Sequence, residues 1–186
     1  FPSGPGRGVR RVALHRALAE CAEASGVEIA WGCGFRALHD EGALSDAGLQ
    51  RARFVVGADG LHSRVARAAG LARGEREPQP RFGVRRHARC RPWSELVEVH
   101  YAEGLEAYVT PVSDEEVGVA LLHCPRSHPQ GANFGALLAH FPRLQERLSG
   151  SAWTSEVRGA GPLLRRAACV DRGGRVALVG DAAGYI

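Results

Sequence analysis

Two short apolar runs, each closed by glycine and an acid, constrain this chain more than any other feature. RFVVGADG covers residues 53–60 and VALVGDAAG covers 176–184. An all-apolar run without polar alternation suits a parallel strand covered on both faces. We therefore expect two buried parallel strands, each ending in small residues and a carboxylate. In open α/β sheets, ligands lie just beyond the carboxyl ends of the strands. Glycine there admits a ligand close to the backbone. A carboxylate there accepts charge-assisted hydrogen bonds from hydroxyl groups. A helix opening at Gly-Asp-Ala-Ala-Gly would also turn its free N–H groups toward an anion such as pyrophosphate. A sugar hydroxyl on Asp181 and phosphate on the amides that follow describe a dinucleotide. The competing reading of Asp181 is an ordinary helix N-cap.

The rest of the chain orders itself around these runs. Residues 1–8, FPSGPGRG, are turn formers. They lack dinucleotide-loop spacing, because the third glycine would fall on Val9. From Val9 the period is helical, with Leu14, Leu18, Cys21 and Ala22 on one face and Gly26 as the stop. VEIAW (27–31) reads as a strand, and 35–50 as a loose hairpin turning near Asp40-Glu41-Gly42. LHSRVARAAG (61–70) starts as a helix and ends at Gly70, and REPQPR (76–81) is a composition break. Between 82 and 123, four β-rich segments recur about every ten residues, which predicts an antiparallel sheet. A helical stretch at 134–148, broken near Pro142, follows. TSEVRG (154–159) and RVALV (175–179) return to strand. The fold class is α/β (α+β): a Rossmann-like layer interrupted by an antiparallel sheet.

Composition narrows the function classes. All 24 basic residues are Arg, and the net charge is +4. The Arg is spread along the chain beside abundant Ala and Gly, which reads as a compositional bias and not as a nucleic-acid surface with interleaved aromatics. The five cysteines form no C-x-x-C pair, so no metal site is expected. Their odd number and the lack of a secretory leader suggest reduced thiols in the cytoplasm. No apolar run approaches the roughly 20 residues that cross a bilayer. The chain starts at Phe1 and contains no Met, so we expect an internal piece of a longer protein, of unassigned oligomeric state.

Taken together, R-x-x-L-x-x-x-L (Arg11, Leu14, Leu18), VVGADGLHS (55–63) and GRVALVGDAAG (174–184) resemble the FAD-dependent oxidoreductases of the aromatic-hydroxylase type. Their relatives are the geranylgeranyl reductases and the flavin halogenases. The resemblance runs nearly the whole length. It implies that Arg11 contacts the cofactor, and that Asp59 and Gly60 contribute to the FAD site and are linked to NAD(P)H use. It further implies that Gly180 and Asp181 hold the ribityl chain of FAD, with Ser63 completing the Asp-Gly motif. Two positions depart from the pattern. Ala66 stands where the family often has Arg, and Gly184 stands where hydroxylases often have His. The second departure leans toward the reductase and halogenase branch. The G-x-G-x-x-G segment that binds the ADP half of FAD is absent from this sequence, so the fragment alone should bind FAD poorly.

The resemblance implies residues 1–75 as FAD-binding region, 76–160 as substrate sheet and 161–186 as a return to the FAD-binding region. The sheet would floor a cavity facing the flavin. On it, EAYVTP (106–111) alternates, so Glu106, Tyr108 and Thr110 share a face. RFGVRRHARCR (81–91) packs five Arg into eleven residues. It reads as one wet face of a sheet or as a site for an anionic group. His100, His123 and His140 show no partner in the sequence, and no catalytic residue is assigned, since the cofactor carries the redox steps. The expected function is an NAD(P)H-using flavin monooxygenase of a small organic substrate. The alternatives are a double-bond reductase or halogenase relative, and a non-catalytic binding module on a decayed flavoprotein fold.

Overall fold

The computed structural model describes residues 8–72, 80–124, 133–163 and 168–184. The expected turn-rich lead-in and the break at 76–81 lie almost wholly outside them. By contacts the chain forms two compact units, residues 1–28 with 81–160, and residues 29–80 with 161–186.

The first unit is built on an antiparallel sheet. β5 (Arg81–Arg89), β6 (Glu98–Ala102), β7 (Leu105–Ser113) and β8 (Glu116–His123) lie in the order β5-β8-β7-β6. The short β9 (Ala152–Trp153) pairs with β5, and β10 (Arg158–Leu163) lies on the outer side of β5. Ala107 pairs with Leu121, and Val109 with Val119. This register puts every second side chain of the central strands on one face. That face is covered by α3 (Phe134–Leu138) and α4 (Pro142–Arg147), which bury Phe134, Leu137, Phe141 and Leu144 against Leu105, Ala107, Val117, Val119 and Leu121. The helical stretch breaks where the sequence predicts it: Pro142 takes the first position of α4, where its missing N–H is tolerated. Asn133 caps α3 by accepting the Ala136 amide at 2.8 Å.

α1 (Arg11–Ala24) precedes this sheet in the chain. Its helical period is as predicted, and Gly26 follows at φ +85°. No residue of α1 is buried, and Leu18 is 60% exposed. Nothing among the described residues covers its apolar stripe.

The strand expected from VEIAW (27–31), which straddles the boundary between the two units, is not formed. Val27 and Ile29 supply the β-branched pattern, but among the described residues no strand pairs with them to satisfy the backbone. The predicted hairpin is a three-stranded meander of β1 (Phe35–His39), β2 (Gly42–Ser45) and β3 (Gly48–Arg51). β4 (Val55–Gly57) then leads to α2 (Arg64–Ala68). After the long sheet excursion, β11 (Val176–Leu178) returns to pair with β4 in parallel. Val65, Ala66, Val176, Leu178 and Ala182 form a small core between this pair and α2. The expectation that both faces are covered holds for one face only. Val56 points the other way and is 59% exposed, because the described residues supply no layer on that side.

Candidate functional site

β4 and β11 run in register, with Val176 opposite Val55 and Leu178 opposite Gly57. Both strands therefore end at the same place. The Val179 amide donates to the Gly57 carbonyl at 3.0 Å and ties the two ends together. Beyond Gly57 come Ala58, Asp59 and Gly60, and beyond Leu178 come Val179, Gly180 and Asp181. The two acidic motifs, over a hundred residues apart in the chain, leave the carboxyl ends of adjacent parallel strands. That is where an open α/β sheet presents a ligand site.

The two acids behave differently there. The Asp59 Oδ1 accepts from Ser63 Oγ at 2.5 Å, and its Oδ2 accepts the amides of Arg64 at 2.6 Å and Val65 at 3.2 Å. Ser63, itself 1% exposed, accepts the Ala66 amide at 2.8 Å. Asp59 and Ser63 thus close the free N–H groups at the start of α2 between them. Partial burial raises the Asp59 carboxyl, but the hydrogen bonds from Ser63, Val65 and Arg64 outweigh it and hold it below its ordinary value. Both Asp59 carboxylate oxygens are engaged by its own turn. Asp181 is exposed and hydrogen-bonds to no described residue. Its backbone forms a single 3-10 turn, Gly180–Ala182, with the Ala183 and Gly184 amides both on the Gly180 carbonyl. The helix considered for this point does not extend past that turn among the described residues.

The glycines divide similarly. Gly60 (φ +79°) and Gly180 (φ +57°) sit in the left-handed region with open space where a side chain would stand. Gly57 is required by packing instead. A Cβ there would lie 2.8 Å from Leu178 Cδ2 and 2.9 Å from Val65 Cβ.

In the first unit, Arg11 is the exposed first residue of α1. Its neighbour Arg10 anchors the helix. Arg10 Nη1 lies 2.6 Å from both Glu116 carboxylate oxygens on β8, and Thr154 Oγ1 donates to the same carboxylate. The Thr154 hydroxyl and, after it, the Arg10 guanidinium hold the Glu116 carboxyl below its ordinary value against the opposing effect of burial. Glu116 belongs to the sheet face that α3 and α4 leave open. The same face carries Glu106, Tyr108 and Thr110, as the alternation predicts. It also carries Gly83, Arg85 and His87 of β5. Burial and the nearby Arg10 charge lower the His87 pKa.

The arginine row of β5 is not one wet face. Arg85 and Arg89 are exposed, and Arg81 Nη2 reaches Glu106 at 2.6 Å. Arg86 turns to the helix-covered side and stacks 5.0 Å above Trp153. The long-range links Arg81–Glu106 and Arg10–Glu116 carry no local signal, so sequence reasoning misses them. His123 is buried with its ring 5.9 Å from Phe82. His100 lies 3.3 Å from Glu98 and packs edge-on against Phe141.

Among the described residues no cluster of three or more His, Cys, Asp or Glu is placed to hold a metal ion. No helix there is long and apolar enough to cross a membrane. No curated protein matches the chain. Among solved structures, it is similar to the flavin-dependent brominase Bmp2, with TM-score 0.79 and 19% identity over 96% of this chain and 50% of the other. The flavin-dependent halogenase CmlS gives 0.75 and 17%, over 95% and 36%. PqsL of Pseudomonas aeruginosa, described as a probable FAD-dependent monooxygenase, gives 0.66 and 21%, over 93% and 52%. The chain thus spans about half or less of each of these proteins, and identities this low show a shared fold. The family model described as FAD binding domain matches residues 8–185, and with a match of that extent this chain belongs to the FAD-binding domain family.

Proposed function

We propose that this chain carries part of the FAD site and the substrate floor of a flavin oxidoreductase that hydroxylates a small organic molecule, with NAD(P)H as electron donor. The observation that carries this reading is the in-register parallel pairing of β4 and β11, which brings the Asp59–Gly60 and Gly180–Asp181 turns to one rim. The donor set suits a polyhydroxylated, phosphate-bearing cofactor. Asp181 is an exposed carboxylate available to hydroxyl groups of the ribityl chain, and the open space at Gly180 lets that chain lie close to the backbone. Asp59 acts through its turn. By capping α2 it fixes the backbone around Gly60. Arg11 is the further cofactor contact that the family pattern implies. FAD supplies the redox chemistry when bound. The open sheet face, with Tyr108 and the Arg81–Glu106 pair, orients the substrate. In this reading residues 1–75 and 161–186 serve the cofactor and 76–160 serve the substrate.

A halogenase or double-bond reductase is the second reading. Gly184, in the place where hydroxylases often carry His, favours it, and the names of Bmp2 and CmlS point the same way.

The test uses Asp181→Asn in the protein that carries this chain. A hydrogen bond to a charged group contributes roughly 1.5–3 kcal/mol, so FAD affinity is expected to fall about tenfold or more. Product analysis with and without bromide or chloride then separates hydroxylation from halogenation. Unchanged flavin affinity in D181N would sink the assignment of this rim.

A further inference from the structure

We propose that the cleft between α3–α4 and the β5–β9 edge is a binding site for a small carboxylate with an aromatic or branched apolar body. The cleft encloses about 500 Å³, within the roughly 300–1,000 Å³ of typical small-molecule sites. Phe134, Leu138 and Trp153 form its apolar walls, Gln145 and Ser149 stand at its rim, and Arg86 supplies its cation.

The charge balance identifies the occupant. Arg86 is half-buried on the helix-covered face of the sheet. Its Nε donates to the Ser155 carbonyl at 2.9 Å, and its guanidinium stacks on the Trp153 ring. These two contacts fix the plane of the guanidinium. The other partly buried arginines of this unit, Arg10 and Arg81, face acids: Arg10 meets Glu116 and Arg81 meets Glu106. Arg86 alone of these three pairs with no described acid, and its two Nη nitrogens bond to no described residue. A pre-oriented guanidinium fork in an apolar-walled cleft matches a planar carboxylate, which accepts two parallel N–H bonds. Phe134 meets Trp153 edge-on, with centroids 5.2 Å apart. The aromatic wall beside the fork therefore suits a flat or branched apolar body. The site opens on the face opposite Tyr108 and Arg85, so it is separate from the proposed substrate floor and needs no flavin.

The experiment is calorimetric titration of this chain with sodium benzoate at fixed ionic strength, with benzyl alcohol as the uncharged match. Benzoate is expected to bind saturably, at least about tenfold more tightly than benzyl alcohol, because the carboxylate contributes charge-assisted bonds. Arg86→Gln is expected to abolish that preference. Arg85→Gln, on the opposite face, is expected to leave it intact. If R86Q fails to fold by circular dichroism, Arg86→Lys is read instead. It keeps the charge but loses the planar fork, so the preference should shrink without vanishing. The proposal is overturned by an absence of saturable benzoate binding, by equal affinity for the alcohol, by a full preference retained in the folded Arg86 variant, or by equal loss in R85Q.

Discussion

Tyr108 donates its phenolic proton to Glu106, two residues earlier on the same strand, across 2.5 Å. Arg81 holds the other Glu106 oxygen at 2.6 Å. Ionising Tyr108 would break the first bond and set two anions side by side. Its pKa is accordingly pushed up to about 12, chiefly by the hydrogen bond to Glu106. The chain has three tyrosines, so titration followed at 295 nm should show one third of the signal delayed to about pH 12. The folded pKa lies above the ordinary value. Stability from this bond is therefore complete below about pH 10 and is lost as pH rises through about 12. Glu106→Gln should return the delayed third toward the ordinary range. Three tyrosines titrating together in the parent chain would show that the bond is not formed.

Glu116 predicts a complementary acid effect. Its pKa is depressed by Thr154 and Arg10. The stability it contributes is present above the ordinary carboxylate pKa and disappears as pH falls through the lower folded value. Glu116→Ala should destabilise the first unit by roughly 1 kcal/mol, the pair being partly exposed. It should also free the start of α1. Hydrogen exchange of the amides at 14–17, the first to bond within α1, reads this directly, and protection equal to that of the parent chain would show that α1 is held by something else.

What the sequence reveals and what it hides follow from the range of the interactions. The sheet from 82 to 123 is legible because alternation and turn residues act over a few positions. β4 and β11 are legible as strands for the same reason, and the chain order around them suggests that they meet. The false strand at 27–31 has the right residues without a neighbour, and pairing is not a local property. The bond from Arg10 to Glu116 spans more than a hundred residues and leaves no pattern. Asp59 shows the limit at the site itself. Its motif marks the correct rim, but whether its oxygens face a ligand or its own helix depends on how the chain turns at Gly60. The exposed stripes of α1 and Val56 are likewise invisible in sequence, where an apolar face implies a cover without supplying it.

The α2 cap predicts a split between two neighbouring substitutions. Ser63→Ala removes a buried hydroxyl that both donates to Asp59 and accepts from Ala66. Loss of such a cap typically costs about 1–2 kcal/mol, and chemical denaturation followed in the second unit measures it. Asp59→Asn keeps the shape but loses the charge that faces the helix N-terminus, and its effect should be smaller. Because the folded pKa of Asp59 is depressed, the gap between parent and D59N should close as pH falls through that value. A gap that stays constant from neutral pH to pH 3 would remove the charge from the explanation.

Gly57 and Gly60, three residues apart, should respond to alanine for opposite physical reasons. At Gly57 the backbone is an ordinary strand and the obstacle is space. The new methyl would meet Leu178 and Val65 at under 3.0 Å. Overpacking of this kind typically costs about 1–3 kcal/mol, and it should push α2 away from β4. Val65→Ala removes one of the three clashing atoms, Cγ1, and leaves Val65 Cβ and Leu178 Cδ2 in place, so the double variant G57A/V65A should recover a small part of the loss in G57A. At Gly60 there is open space but φ is +79°, so alanine is strained wherever it points, by roughly 1 kcal/mol. No neighbour can relieve that, and Val65→Ala should simply add to it. A double-mutant cycle therefore distinguishes the two, with coupling at 57 and additivity at 60. Additivity at both positions would mean that Val65 does not pack on Gly57, and the seating of α2 that sets the Asp59 turn would have to be redrawn.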